Sequence, residues 1–181
     1  MDAKAQAQLG DILASCVRDL FGRFGVPLSE RDAGVEPAPS IEGDATMTVV
    51  GFAGEQMRGT LTLLAPDGVF ARSYAAAGGE AGGDPNDVQG WAAEFSNLLL
   101  GRIKCALLSY GVVLQISTPT AFGGRELSLQ GAPPSESLER GFEVAGEPLY
   151  LCFRAITAPA FAFTLLPEAP PLASEGEPLF F

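Results

Sequence analysis

Two apolar runs that lie only four residues apart place the strongest constraint on the fold of this chain. The runs TMTVVGF (46–52) and MRGTLTLLA (57–65) are rich in β-branched and aliphatic residues, and AGEQ (53–56) separates them. A connection this short suits two antiparallel strands joined by a tight turn. The sequence therefore predicts a β-hairpin here.

Further strands are expected in the second half of the chain, with helices elsewhere. Apolar residues recur at helical steps in residues 3–24 and 88–110, and a short helix is expected after Pro66. Because helices and strands occur in blocks, we expect an α+β fold: an antiparallel sheet with two long helices packed on one face. The later predicted strands are VVLQIST (112–118), RELSLQ (125–130), GFEVAG (141–146), LYLCFRAI (149–156) and FAFTLLP (161–167).

The segments between and after these elements are expected to be irregular. GGEAGGDPND (78–87) lacks the GK[ST] ending and the preceding strand of a phosphate-binding loop, so we interpret it as a linker. A turn is expected at Gly123–Gly124. Length and organisation predict one domain over 1–167, followed by a Pro-rich, mobile C-terminal tail over 168–181.

Composition excludes several classes of function. The formal charge is −11, from 22 acidic and 11 basic residues, which opposes binding to nucleic acid or to an anionic membrane surface. The polar N-terminus is unlike a signal peptide, and we expect a cytoplasmic protein with three reduced cysteines. The chain has no histidine, which excludes His-based triads and general bases. Carboxylate pairs that could serve glycoside hydrolysis, Asp84 with Asp87 and Glu136 with Glu139, lie in polar segments where nothing would raise one pKa.

The helix predicted over 88–110 carries an unusual stripe opposite its apolar face. At 100° per residue, the stripe lies within about 60° of Asn97. A solvated helix face usually carries Lys, Glu and Gln, whereas this one has small residues around a single amide, although a glycine inside a helix costs about 1 kcal/mol relative to alanine. We therefore expect a flat face that another macromolecule can approach closely. Its members are Gly90, Ala93, Glu94, Asn97, Leu100, Gly101 and Lys104.

The sequence around this stripe resembles a known family. AEFSNLLLGRIKCAL resembles the E-x-x-N-x-x-x-G-x-x-K helix of the CheX/CheC/FliY family of chemotaxis phosphatases. The preceding RGTLTLLAPDGVFARSYAA, the following LQISTPTAFGG and the C-terminal LYLCFRAITAPAFAFTLLP, similar to the closing hairpin of the family, extend the resemblance over residues 8–167. The first helix offers Asp11, Ala14 and Ser15 and no second Glu–Asn pair, so the chain is more similar to CheX than to two-motif CheC.

The resemblance implies hydrolysis of the aspartyl phosphate of a CheY-like receiver domain. It assigns to Asn97 the positioning of a water molecule and to Glu94 a contact with a receiver lysine. Gly101 would allow close approach, Leu100 would add apolar contact, and Lys104 belongs to the same pattern. The Mg²⁺ would belong to the receiver, so no cofactor or metal of the chain's own is expected.

Three further expectations rest on the same resemblance. A catalytically silent receiver-binding module and a FliY-like structural component of the flagellar switch are the alternatives to a phosphatase. A homodimer formed through sheet edges is also expected.

Overall fold

Antiparallel strands form one sheet, and helices cover one of its faces. A computed structural model describes residues 1–31, 39–129, 137–159 and 161–165. Within these residues the helices are α1 (Ala3–Arg23), α2 (Asp67–Ala76) and α3 (Pro85–Leu108). The strands are β1 (Leu28–Arg31), β2 (Ser40–Ala53), β3 (Met57–Pro66), β4 (Gln115–Ile116), β5 (Thr120–Ser128), β6 (Ser137–Val144) and β7 (Glu147–Thr157). The predicted α+β class and the predicted hairpin, β2–β3, are confirmed.

The sheet has the strand order β1-β6-β7-β3-β2-β4, and β5 also pairs with β2. One side of β2 is paired with β3 over residues 45–53. Its other side is shared, because β5 pairs with residues 40–49 and β4 pairs with Phe52 and Ala53. Both long sides of β2 are therefore occupied, and β2 is an interior strand.

Alternation along the strands separates two apolar layers. Val50 and Phe52 on β2 and Leu61 and Leu63 on β3 face the helices in the main core. On the other face of the sheet, a smaller cluster contains Ile41, Ala45, Leu64, Leu129 and Cys152. The two long helices and α2 therefore share one face of the sheet, as expected from the sequence.

Side-chain caps set the beginnings of the long helices. Asp2 accepts a hydrogen bond from the backbone N–H of Ala5 at 2.7 Å and caps α1. Asp84 accepts from the backbone N–H of Asn86 at 2.7 Å, and Pro85 occupies the first turn of α3. The linker predicted over 78–87 is therefore wrong at its end. An aspartate followed by proline is a helix start, so α3 begins three residues earlier than predicted.

Two predicted strands are wrong in extent, because the sheet edges they would need are already occupied. VVLQIST forms a strand only at Gln115–Ile116, since β5 occupies the rest of the available side of β2. Within FAFTLLP, residues 161–165 form no strand, because β7 already pairs with β3 and β6. Phe163 instead packs against Tyr110 beyond the end of α3, with ring centroids 5.3 Å apart.

The glycine pair at 123–124 also differs from the expectation. Gly123 and Gly124 do not form a turn but lie within β5, opposite Thr46 and Ala45 of β2. A Cβ on Gly123 would lie 3.1 Å from the side-chain nitrogen of Gln89, so glycine leaves space for the first turns of α3 over β5. The predicted domain boundary at 167 and the tail over 168–181 lie outside the described residues.

Gly59→Ala tests the packing at the centre of the sheet. A Cβ at Gly59 would lie 1.8 Å from the backbone oxygen of Arg154 on β7, so the strands must separate to accept it. We expect a loss of about 1–3 kcal/mol in the free energy of unfolding, the usual range for overpacking, measured by urea denaturation. Gly22→Ala on α1 is the control, because a Cβ there meets no atom of the described residues within 4 Å outside the local helix backbone. Equal stability of the two variants would contradict the assigned strand contact.

Candidate functional site

The outward face of α3 carries the polar stripe predicted from the sequence. Glu94 and Gly90 are exposed, and Asn97, Gly101 and Lys104 are partly exposed. The helix is anchored from its other side by apolar residues that are fully buried, which fixes the stripe towards solvent. Those anchors include Ala92, Phe95, Leu99, Ile103 and Leu107.

The prediction that Leu100 contributes an apolar contact to a partner is wrong. Its side chain has 0% exposure and belongs to the main core, so it offers no surface to a partner. Leu100 and Glu94 lie about 60° to either side of Asn97 on the helix. Because the Leu100 side is buried and the Glu94 side is exposed, the centre of the outward face lies on the Glu94 side of Asn97.

The glycines of the stripe have no packing role within the described residues. A Cβ added at Gly90 or Gly101 would meet no atom within 4 Å outside the local helix backbone. Neither residue has a positive φ, so alanine would fit at both positions without backbone strain. Both glycines lower helix propensity and keep the surface of α3 low beside Glu94 and Asn97.

Hydroxyl groups that the sequence interpretation missed fix α3 against the rest of the domain. Ser96 hydrogen-bonds to Thr48 of β2, and both side chains are fully buried. Trp91 donates its indole N–H to the hydroxyl of Ser73 on α2 at 2.8 Å. Ser73 in turn donates to the backbone oxygen of Phe70 at 2.9 Å. The sequence did contain a signal for this contact, because Ser96 lies one helical turn from Ala92 and from Leu99 on the core side of α3.

The first helix presents no equivalent site. Asp11 and Ser15 are exposed on α1, whereas Ala14 is buried. Exposed Arg18 on the same helix forms an ion pair with Glu30 of β1. α1 contains neither glutamate nor asparagine, so a Glu–Asn pair one turn apart occurs on the outward face of α3 and not on α1.

The described residues hold no group of three or more His, Cys, Asp or Glu side chains placed to bind a metal ion. The carboxylate of Asp84, considered above for glycoside hydrolysis, caps α3, and its side chain is also contacted by the amide of Asn86 at 2.8 Å. In the part of the chain that the structure describes, no helix is both long enough and apolar enough to cross a bilayer.

A sequence profile now identifies the family. The profile described as chemotaxis phosphatase CheX matches residues 46–142, more than half of the chain and including all of α3. The chain belongs to the CheX family. No curated protein sequence matches it.

Solved structures of CheX proteins share the fold. CheX from Vibrio vulnificus superposes with a TM-score of 0.71 at 15% identity, covering 82% of this chain and 99% of that one. CheX from Desulfovibrio desulfuricans superposes with a TM-score of 0.67 at 16% identity, and the match covers 82% of this chain and 99% of that one. A chain of the CheX-CheY-BeF3-Mg²⁺ complex from Borrelia burgdorferi superposes with a TM-score of 0.58 at 18% identity, and the match covers 81% of this chain and 94% of that one. At these identities the likeness is one of fold.

Two of the three cysteines of this CheX family member are buried. Burial raises the pKa of the Cys16 thiol from 9.0 to about 11, and the charge of Asp19 adds to the effect. Burial also raises the pKa of Cys152, partly offset by Arg154. Cys105, on α3 beside the stripe, is half-buried. All three thiols are free, as the sequence predicted.

Alkylation should distinguish the three thiols. At pH 8, a pKa near 11 leaves about one Cys16 in a thousand as thiolate, against about one in ten for a pKa of 9. We expect iodoacetamide to modify Cys105 first, and Cys16 and Cys152 only after urea unfolds the protein, as read by peptide mass spectrometry. The pKa of Cys16 is higher in the folded protein than in the unfolded chain, so folding favours the protonated thiol. The contribution of this thiol to the free energy of unfolding is complete below pH 9, and it is lost as the pH rises towards 11. Equal rates at the three sites in the native protein would contradict this assignment.

Proposed function

We propose that this protein hydrolyses the aspartyl phosphate of a CheY-like receiver domain, with the outward face of α3 as its docking and catalytic surface. The observation that carries the proposal is the pairing of exposed Glu94 with Asn97 on a face kept low by Gly90 and Gly101. Membership of a chemotaxis phosphatase family supports it. The complex of a similar fold with CheY supports a receiver as the partner.

Asn97 is proposed to position the attacking water. Its amide donates and accepts hydrogen bonds, so it can hold a water molecule in line with phosphorus at any pH near neutrality. The water oxygen bonds to phosphorus, the bond from phosphorus to the aspartyl oxygen breaks, and the products are a free carboxylate and inorganic phosphate. The increase in hydrolysis rate comes from orientation of the water molecule, which needs no general base on this chain.

Glu94 is proposed to fix the docked orientation. It lies about 4.5 Å along the helix axis from Asn97, one turn towards the N-terminus. An exposed carboxylate there can form a charge-assisted hydrogen bond with a lysine of the receiver. Lys104 lies about 10 Å from Asn97 in the other direction and gives the stripe a positive end. Opposite charges at the two ends define the direction in which a partner docks.

Magnesium is proposed to be held by the receiver. The described residues offer no cluster of side chains that fits a metal ion, so this chain's part is to supply the amide, the carboxylate and a low surface. The net charge of −11 opposes an acidic receiver at long range. Screening beyond about 8 Å at physiological salt limits this repulsion to an effect on the rate of encounter. A cytoplasmic location is part of the same proposal.

The test is the decay of an acyl-phosphorylated CheY-like receiver in the presence of Mg²⁺. Wild-type protein should accelerate phosphate release. Asn97→Ala should lower kcat by about 100-fold or more, because water orientation is lost. Glu94→Ala should raise KM by about tenfold, because it removes a charged hydrogen bond made on docking.

Ser15→Ala, on the exposed face of α1, is the matched control and should retain full activity. Acceleration that survives in Asn97→Ala would refute the mechanism. A wild-type protein that binds the receiver and leaves its decay rate unchanged would instead be a receiver-binding module. Capture of flagellar rotor proteins and no receiver would favour a structural component of the switch.

Gly101→Ala should separate stability from activity. Outside the local helix backbone, the added methyl meets no atom of the described residues within 4 Å, so the free energy of unfolding should rise by up to about 1 kcal/mol. The same methyl projects into the docking plane and should lower kcat/KM by about tenfold, since small displacements at a reacting centre are costly. Gly22→Ala should gain stability with no loss of activity. If Gly101→Ala keeps full activity, close approach at this position is not required.

A further inference from the structure

Thr48 and Ser96 form a hydroxyl pair that is buried among apolar side chains between β2 and α3. Each side chain has 0% exposure, and the two hydroxyl groups hydrogen-bond to each other between β2 and α3. Thr48 lies in the interior of the sheet, where β2 pairs with Leu63 of β3 and with Ala121 of β5. Ser96 directly precedes Asn97 on α3. The pair thus connects the interior of the sheet to the residue next to the proposed catalytic amide.

The apolar core holds α3 on the sheet, but a hydrogen bond adds a directional restraint. Contact between apolar surfaces is non-directional, so similar burial is compatible with small rotations and shifts of a helix. A hydrogen bond weakens steeply when its angle or distance changes. The indole N–H of Trp91 provides a second directional contact, to Ser73 of α2. These two contacts fix α3 on both sides of Glu94 and restrain its rotation.

The precision required at Asn97 is high. A side-chain atom about 6 Å from the helix axis moves by about 1 Å when the helix turns by about 10°. A misplacement of that size can cost about 100-fold in rate. Asn97 has a short side chain with little reach to compensate, whereas Glu94 is longer and can follow a partner lysine. A rotation of α3 should therefore affect catalysis more than docking.

We infer that the buried Thr48–Ser96 pair is a positioning device, which sets the rotation of α3 and with it the direction of the Asn97 amide. The inference about catalysis rests on the proposed function, whereas the inference about helix orientation does not. When Thr48 no longer offers its hydroxyl, Ser96 can turn to the backbone oxygen of Ala92, one turn earlier, a bond that bends helices. Both residues act through Asn97 and make no contact with the receiver.

Two substitutions of Thr48 separate the hydroxyl from the packing. Thr48→Val keeps the shape and removes the hydroxyl, and Thr48→Ser keeps the hydroxyl and removes a methyl group. We expect Thr48→Val to lower kcat for receiver dephosphorylation by at least about fivefold, with the Kd for a BeF3-activated receiver changed less than about threefold. Thr48→Ser should keep kcat within about twofold, even where it is the less stable protein. Thr62→Val, a buried threonine on the opposite face of the sheet, is the control.

A second readout uses the free protein and needs no receiver. The backbone amide NMR signals of residues 94–101 should shift or broaden in Thr48→Val and remain in place in Thr48→Ser and Thr62→Val. Ser96→Ala should reproduce the effect of Thr48→Val. The double variant should be no worse than either single variant, because both remove the same interaction. Ser96→Ala also keeps the test informative if Thr48→Val fails to fold.

The outcomes distinguish the two proposals. If wild-type protein does not accelerate phosphate release, the proposed function fails, and the NMR comparison alone decides whether the pair sets the orientation of α3. Unchanged amide signals in Thr48→Val would overturn the inference. If kcat instead falls in proportion to stability, so that Thr48→Ser is impaired as much as Thr48→Val, the pair is a structural contact and does not position Asn97.

Discussion

The packing of Phe95 is the constraint on which the helical layer depends. The centroid of its ring lies 4.9 Å from that of Phe21 and 6.2 Å from that of Phe24, both at the end of α1. The ring centroid of Phe70 on α2 lies 6.3 Å away. It also lies 6.3 Å from the ring of Trp91, one turn earlier on α3. All three helices therefore meet at one side chain, which is fully buried. Aromatic contacts of this kind combine large buried area with preferred ring geometry.

This packing determines what remains available on the outer side of α3. Once Phe95, Leu99 and Ile103 face the core, the helical period directs Glu94 and Asn97 towards solvent. The outer face gives up helix propensity at Gly90 and Gly101, and no neighbouring atom in the described part of the chain requires glycine at either position. These two glycines therefore lower helix stability without a packing reason among the described residues, and both lie on the docking surface proposed above. The homodimer expected from the resemblance stays a prediction. Among the described residues, β1 lies at one edge of the sheet, and β4 and β5 lie side by side along the other.

Local patterns predicted most of the elements and failed where strands compete for partners. The hairpin β2–β3 and the two long helices follow from short-range signals, and they were confirmed. FAFTLLP has the composition of a strand, but β7 has no free side for it. VVLQIST is limited in the same way by β5. Composition can indicate a preference for strand, and it cannot say which edge is free.

The sequence by itself determined that Glu94, Asn97 and Gly101 share one face of a helix, because helical periodicity is a property of adjacent turns. It also determined the α+β class, through hairpins and blocks of like elements. Only the tertiary structure decided that Leu100 belongs to the core and that the outward face is centred towards Glu94. It alone paired Ser96 with Thr48, 48 residues away. Such contacts depend on how helix and sheet are placed against each other, and no local pattern encodes that placement.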